Sequence, residues 1–574
     1  MTSVPAVTAA LTRLRTALAS LSFPLPVDGA ASVASQRDRL VNQLDDYVLP
    51  RYQNLDAPLL AVVGGSTGAG KSTLVNSLLL SQVAASSAIR PTTRRPLLLH
   101  HPADEDWFTT GRILPGFPRV RIAPDAAPTP AAGGSQLELE IRSTPNLPTG
   151  LALLDAPDID SVVDANRATA AQLLGAADLW LFVTTAARYA DAVPWELLAD
   201  AASRDIVVAI ILNRVPQDVV GEVEGDLRGR LDAAGLGQAP LFTVPETTLA
   251  GGFVPEEFVA PIRYWLGGLA ADANARSAVA RQTLAGAVHA ALASAEAVSH
   301  GADEQARGVG HLAAEVDRAE AEALARVTRA TADGSLLRGE VLARWQEFVG
   351  SGEWFARLQA GIGRMRDMIG NFFRGRPQST QPVETAVEDS LVTLLGAEAR
   401  QAVIELDHAW RFEGGGRDLL AGALRALPSE PALQERIAAE VSGWQKDVMD
   451  LVRAEGADRR VKARALSTGI NALGVTLMMA LFATTGGITG AEVATAGGTA
   501  AAGQAVLVAV FGEDAVRAMA AKARDGLATR AEATLTWYLS PFRARIEELG
   551  VDARSAEELR EAVRAVRQAE PEAR

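Results

Sequence analysis

The chain has 574 residues, a formal net charge of −14 and no cysteine. Its length allows about three or four domains, and its negative charge argues against a general nucleic-acid-binding protein. The absence of cysteine excludes disulfides and thiolate metal sites, and the six histidines show no metal-ligand spacing. Arg13 and Arg15 interrupt the apolar pattern of the N-terminus, so no secretory signal peptide is expected.

Residues 1–55 are predicted to form two amphipathic helices before a nucleotide domain. Leu11, Leu14 and Leu18 recur at helical spacing, and a Phe-Pro-Leu-Pro segment ends the first helix. Because an amphipathic helix needs a partner for its apolar face, we expect both helices to pack on the helical stalk later in the chain.

Residues 56–265 carry the pattern of a P-loop domain with a mostly parallel sheet. An apolar strand leads into the motif G-x-x-x-x-G-K-[ST], formed by Gly65 to Ser72, and an apolar helix follows. In this motif backbone N–H groups surround a polyphosphate, Lys71 reaches the β- and γ-phosphates, and the Ser72 hydroxyl binds Mg²⁺. The predicted nucleotide contacts of the loop are Gly65, Ser66, Thr67, Gly68, Ala69, Gly70, Lys71, Ser72 and Thr73.

The segment after the P-loop helix reads Thr93-Arg94-Arg95-Pro96-Leu97. It closely resembles the T-R-R-P-L of the dynamin family of large GTPases. The resemblance implies that Thr93 binds Mg²⁺ and the γ-phosphate in the GTP state and releases them after hydrolysis. It also favours GTP over ATP as the nucleotide.

The next apolar strand ends at Asp155, which is expected to bind the magnesium shell through water. The segment from Asp155 to Asp158 stands where GTPases carry D-x-x-G, but Asp158 replaces the glycine whose N–H senses the γ-phosphate. Switch II is therefore expected to work differently. The predicted catalytic residues are Lys71, Thr93 and Asp155, and the predicted magnesium ligands are Ser72, Thr93 and Asp155.

A later apolar strand leads into Asn213-Arg214-Val215-Pro216, at the position of the base-reading N/T-K-x-D motif. Asn213 matches, and Arg214 is a basic substitute whose stem could stack on the base. Pro216 replaces the aspartate that reads the guanine N1 and N2 donors, and Asp218 comes two residues late. Asn213 and Arg214 are predicted to contact the base, and the loop after Pro245 is expected to lie near it.

A second departure concerns the rate of hydrolysis. Dynamins resemble one another in a Q-S pair within the P-loop, whereas this chain has Thr67-Gly68. In addition, no Gln or His directly follows Asp155 to orient water. Turnover by the isolated domain is therefore expected to be slow. The arginines of the switch I segment either supply transition-state charge or serve as surface charge.

From residue 266 the sequence is alanine-rich, with helical spacing and few strand signals. We predict a helical stalk over residues 266–464, a hydrophobic hairpin over residues 465–512 and returning stalk helices over residues 513–574, with a break at Pro541. The predicted fold is an α/β P-loop GTPase domain joined to a long all-α helical bundle that carries the hairpin.

Two segments have the composition of membrane-contacting elements. Residues 353–376 mix apolar side chains with arginines, which fits either a basic amphipathic helix on an anionic membrane or a half-solvated stalk helix. Residues 465–512 carry Glu492 as their one charge and have basic residues on both flanks. This predicts a helical hairpin that dips into or crosses the membrane, with both ends cytoplasmic. The alternative is a buried hairpin in the stalk core.

The order of these elements resembles bacterial dynamin-like proteins, of an actinobacterial type with divergent switch II and base-recognition motifs. The resemblance implies that the chain binds and hydrolyses GTP with Mg²⁺. Hydrolysis would drive assembly through the GTPase domains, as a homo- or hetero-oligomer, and membrane binding or remodelling at the cytoplasmic side of the cell membrane.

Two alternatives come from other functional classes. One is a ribosome- or RNA-associated GTPase, against which stand the acidic charge and the lack of a long basic tract. The other is a slow-hydrolysing, nucleotide-gated scaffold, which Thr67 and Asp158 favour.

Overall fold

A computed structural model describes most of the chain, in these ranges: 4–84, 95–126, 138–158, 164–332, 340–349, 380–457, 470–483, 503–504, 507–508 and 510–570. The chain divides into two compact units. The first comprises residues 1–23, 29–304 and 552–574, and the second comprises residues 24–28 and 305–551. The boundaries of these units differ from the predicted domain boundaries. The N-terminal helices and the last helix belong to the unit that contains the sheet.

The N-terminal segment of the first unit is helical. Its helices are α1 Val4–Ser20, α2 Ala30–Gln43 and α3 Leu49–Gln53, with a π-helical turn at Leu44–Val48 between the last two. Leu11, Leu14 and Leu18 of α1 are fully buried in the core that also covers one face of the sheet. The apolar stripe that predicts α1 is therefore the surface by which it packs.

The sheet of the first unit has eight strands in the described part of the chain, in the order β3-β4-β2-β5-β1-β6-β7-β8. They are β1 Leu59–Gly65, β2 Leu97–His100, β3 Arg119–Ile122, β4 Leu139–Ser143, β5 Leu151–Asp155, β6 Leu179–Thr185, β7 Val207–Val215 and β8 Leu241–Pro245. Neighbouring strands are parallel except β2 and β5. This confirms the predicted α/β fold, and it gathers the carboxyl ends of β5, β1, β6, β7 and β8 at one edge.

Alternating side chains of the strands fill a core on each face of the sheet. In β1, Leu60 and Val62 belong to one core, and Leu59, Ala61 and Val63 belong to the other. The surrounding helices are α4 Lys71–Leu79, α5 Glu105–Thr109, α6 Asp164–Gly175, α7 Ala192–Ser203, α8 Val220–Ala233 and α9 Glu256–Ala271. The α4 and α9 helices pack on the second core, which places the P-loop helix on that face.

Long helices follow the sheet and form the rest of both units. They are α10 Ala273–Ala332, α11 Glu340–Val349, α12 Gln381–Phe412, α13 Gly416–Ala426, α14 Glu430–Ala457, α15 Ile470–Ala483, α16 Glu513–Glu547 and α17 Ser555–Ala569. Within the first unit α17 packs against α1. Within the second unit, Trp444 of α14 donates from its indole N–H to the carbonyl of Ala523 in α16, at 2.8 Å.

The α16 helix continues through Pro541, so the predicted break at this residue is wrong. A proline inside a helix removes one hydrogen bond and crowds the preceding turn. Here Tyr538, Leu539 and Phe542 are buried in the core of the second unit. Tertiary packing of the apolar face therefore holds the helix together across the proline.

The α15 helix is the described beginning of the predicted hairpin. Its apolar side chains from Leu473 to Phe482 are at most 5% exposed and lie in the core of the second unit. Of the helices in the described ranges, none has both the length and the apolarity to cross a membrane. Glu492, most of the rest of the hairpin and residues 353–376 lie outside the described residues.

Candidate functional site

The P-loop lies between β1 and α4 and contains all the predicted loop contacts, from Gly65 to Thr73. Gly65 has a φ of 146°, and a Cβ there would lie 2.0 Å from the carbonyl oxygen of Val183 in β6. Gly70, directly before α4, has a φ of 92°. Only glycine fits these conformations without strain. The turn brings successive backbone N–H groups to the N-terminus of α4, the arrangement that binds phosphate.

The Lys71 amine lies over this loop and is 5% exposed. It donates to the carbonyl oxygens of Gly65 at 2.9 Å and Ser66 at 3.1 Å, and it forms an ion pair with Asp158. The sequence does not predict this ion pair, for which its only signal is an acid, Asp158, in place of the switch II glycine. Because a phosphate and Asp158 are both anions, they compete for the same amine.

The structure brings Ser72 and Asp155 together. The Ser72 hydroxyl donates to one carboxylate oxygen of Asp155 at 2.7 Å. Burial raises the pKa of Asp155 to about 6, opposed by the Ser72 hydrogen bond and by the charge of Lys71. The other carboxylate oxygen, Oδ1, is buried without a hydrogen-bond partner among the described residues.

This pair fits Mg²⁺, which prefers hard oxygen ligands and takes few of them from the protein. The unpartnered Oδ1 of Asp155 and the Ser72 hydroxyl supply such oxygens. Within the described ranges, no cluster of three or more His, Asp or Glu side chains forms a larger metal site. The donor set therefore matches an ion that is completed by phosphate oxygens and water.

Asn213 and Arg214, the predicted base contacts, both reach the P-loop. Asn213 donates to the Ala69 carbonyl at 2.7 Å, and its side-chain oxygen accepts from the Arg214 N–H at 3.1 Å. Arg214 has a φ of 56° at a bulge in β7, and its guanidinium donates to the Gly68 carbonyl at 3.3 Å. The bulge thus turns the Arg214 side chain onto the loop, where its stem can cover one side of a base.

The structure describes the switch I segment only from Arg95 onward. Thr93 and Arg94 lie outside the described residues. Arg95 pairs instead with Glu138 at 3.1 Å and Glu140 at 3.6 Å, next to and within β4. This supports a structural role for Arg95 at the sheet.

The chain is similar to one known family and to several solved structures. The family model described as the dynamin family matches residues 60–214. Two structures of an oligomerised bacterial dynamin pair, described as sensing and tethering membranes, share 10% and 9% identity. They have TM-scores of 0.36 and 0.37, and the matches cover 99% and 96% of this chain and 95% and 96% of those chains.

Toc33 from Arabidopsis thaliana, solved with Mg²⁺ and GMPPNP, shares 14% identity with a TM-score of 0.24, over 42% of this chain and 93% of that chain. No curated protein matches the chain.

The family match spans β1, the P-loop, the strand that ends at Asp155 and the stretch up to Arg214. It therefore covers the elements that hold the described site, and it disfavours the ribosome-associated alternative. The nucleotide domain therefore matches the dynamin family over residues 60–214, which supports a dynamin-like GTPase that hydrolyses GTP.

Proposed function

We propose that this GTPase couples GTP binding and hydrolysis to its own assembly and to the binding or remodelling of a membrane at the cytoplasmic side. The observation that carries the proposal is a dynamin-family nucleotide domain in the same chain as residues 465–512, whose one charge is Glu492. Assembly would run through the GTPase domains, with a second copy or a related chain. Nucleotide acts by biasing a bistable element, because its contacts differ between the GTP and GDP states.

The proposed site residues divide the chemistry of hydrolysis among them. Lys71, Thr93 and Asp155 are the catalytic residues, and Ser72, Thr93 and Asp155 hold Mg²⁺. Lys71 donates to phosphate oxygens, while Ser72 and Asp155 present oxygen ligands from the P-loop and the end of β5. When bound, Mg²⁺ neutralises negative charge on the phosphates. The remaining proposed nucleotide contacts are Gly65 to Thr73, Asn213 and Arg214.

Membrane contact through α15 requires this helix to leave the core of the second unit. Its apolar side chains face other helices, and the Phe482 ring lies 5.9 Å from the Trp444 ring of α14. Exposing them to water without lipid would cost about 25 cal/mol for each Å² of apolar surface. We infer that lipid replaces the helical partners of α15 when the protein binds.

Flotation with anionic liposomes tests the proposal. Wild type should float with GTP, and a variant lacking residues 465–512 should remain in the soluble fraction. GDP binding by the deletion variant, measured by calorimetry, shows whether its nucleotide domain is folded. The proposal is overturned if wild type floats in no nucleotide state, or if the deletion variant floats as well as wild type.

A further inference from the structure

We propose that Glu246, the first residue after β8, supplies the carboxylate that recognises the guanine base. Guanine presents two donors on one edge, the N1–H and the N2 amine, and a carboxylate accepts from both. At the end of β7, Pro216 stands where this acceptor is expected, and its side chain has no hydrogen-bonding group. A guanine-specific site in this chain therefore needs an acid from another element.

Strand pairing places Glu246 beside the base-contacting end of β7. Val215 pairs with Pro245 in the parallel ladder, and the Glu246 N–H donates to the Val215 carbonyl at 2.8 Å. Arg214, one residue earlier, donates to the Gly68 carbonyl of the P-loop. Glu246 thus lies at the same edge of the sheet as the P-loop, one strand away from Arg214.

Glu246 directly follows β8, and continuing the alternation of β8 by one residue assigns it to the face that carries the P-loop helix. Phe242 and Val244 pack in the core on the α4 side of the sheet, and Asn213 pairs with Val244. Because side chains alternate along a strand, the next position on that face is Glu246. The chain after Glu246 stays on this side, since the Val254 N–H donates to the Ser77 hydroxyl of α4 at 2.9 Å.

Asp218 is the nearest acid in sequence, but it lies in a different place. It is part of the turn from Pro216 to Val219, closed by a Val219 N–H to Pro216 carbonyl bond of 3.2 Å, which leads directly into α8. A carboxylate just before a helix N-terminus is stabilised by the helix dipole, which gives Asp218 a structural role. Glu246 directly follows the end of β8, at the edge of the sheet where Asp155 ends β5.

The test is a change of base preference in Glu246→Gln, read by calorimetry with GDP, IDP, XDP and ADP in the presence of Mg²⁺. Xanthine keeps the N1–H of guanine but has an acceptor at C2, so a glutamine amide pairs with it where a carboxylate is repelled. Glu246→Gln should weaken GDP binding about 10- to 100-fold. The same variant should bind XDP more tightly than wild type does. It should also bind GDP and IDP equally, whereas wild type should prefer GDP because IDP lacks the N2 amine.

Three variants make the outcome decisive. Asp218→Asn, a matched change of an exposed acid, should leave all four affinities unchanged. Glu246→Asp, which keeps a carboxylate, should retain the preference for GDP over XDP. Arg228→Gln, an exchange in α8, should also behave as wild type. The proposal is overturned if Glu246→Gln binds GDP and XDP with the affinities of wild type. It is also overturned if Asp218→Asn weakens GDP binding and strengthens XDP binding. Diphosphates report base recognition without hydrolysis or membrane, so failure here is distinct from failure of the proposed membrane function.

Discussion

At the scale of single residues, the ion pair between Lys71 and Asp158 is expected to affect the affinity of the P-loop for nucleotide. The Asp158 side chain is 18% exposed and the Lys71 side chain 5% exposed, so water screens their attraction only in part. A bound phosphate must replace this carboxylate at the amine. We therefore expect Asp158 to lower nucleotide affinity in a way that a glycine at this position would not.

We expect Asp158→Asn to bind GMPPNP about tenfold more tightly than wild type, because the competing charge is gone while the side-chain volume stays the same. Calorimetry with Mg²⁺ measures this affinity. Asp218→Asn removes an equal charge away from Lys71 and serves as the control. Equal or weaker binding by Asp158→Asn would show that Asp158 does not compete with nucleotide.

The Ser72 hydroxyl gives a second prediction at this scale, because it would be a magnesium ligand. Ser72→Ala should weaken the Mg²⁺-dependent part of GDP binding about 10- to 100-fold, so that chelation with EDTA changes its affinity less than that of wild type. Ser203→Ala removes a hydroxyl that bonds only the Asp200 carbonyl in the described structure, and it should respond to EDTA as wild type does. An unaltered EDTA response in Ser72→Ala would remove Ser72 from the metal site.

At the scale of elements, Asp178 joins the sheet to the helices of the first unit. Its carboxylate accepts from the Leu60 N–H of β1 at 2.8 Å and from the Tyr47 hydroxyl at 3.1 Å, and it pairs with Arg51 of α3 at 3.1 Å. Its own carbonyl accepts from the Thr283 hydroxyl of α10 at 2.9 Å. One buried residue thus connects β1, β6, the N-terminal helices and the first part of α10.

Replacing Asp178 with alanine should therefore destabilise the first unit by about 3–5 kcal/mol, since the buried Arg51 guanidinium loses its counter-charge. Denaturant unfolding followed through intrinsic tryptophan fluorescence, to which buried Trp180 in β6 contributes, measures this loss. Asp226→Ala, which breaks an exposed ion pair with Arg230 in α8, should leave the unfolding midpoint of that unit unchanged. If the two variants unfold alike, the Asp178 network does not hold these elements together.

At the scale of the whole molecule, the proposed membrane function depends on whether α15 can leave the second unit. Gly474 of α15 packs against Met449 of α14 so closely that a Cβ at Gly474 would lie 2.0 Å from the Met449 Sδ and 3.5 Å from the Met449 Cγ. A cysteine at position 449 places its sulfur near that Cγ position, within reach of a disulfide to position 474. The native chain has no cysteine, so an engineered pair has no competing partner.

The double variant Met449→Cys, Gly474→Cys should float with liposomes when reduced and fail to float when oxidised, because the disulfide holds α15 in the core. Met449→Cys alone should float under both conditions and is the control, because Gly474→Cys alone would put its Cβ 2.0 Å from the Met449 Sδ. If the oxidised double variant floats as well as the reduced one, membrane binding does not need α15 to move. If the reduced form also fails to float, the substitutions themselves disturb the second unit.

The sequence by itself determined the nucleotide domain, because its signals are local. Phosphate binding needs a glycine-rich turn between a strand and a helix. The short segment from Gly65 to Ser72 meets this requirement by itself. The signals for the strand that ends at Asp155 and for the apolar stripe of α1 are also local. Both depend on the spacing of apolar residues over a few neighbouring positions. The dynamin-family match over residues 60–214 confirms the predicted nucleotide domain.

Only the tertiary structure decided which partners the polar and apolar groups find. The ion pair of Lys71 with Asp158, the four-way contact of Asp178 and the pairing of Glu246 with Val215 join residues far apart in sequence. The partner of α15 is likewise decided by tertiary structure, because its uncharged sequence is apolar enough to contact either lipid or a protein core. Apolar surface is buried by whichever partner excludes water, and composition does not specify that partner. Likewise Pro541 predicts a helix break from local sterics, but the burial of Leu539 and Phe542 outweighs it.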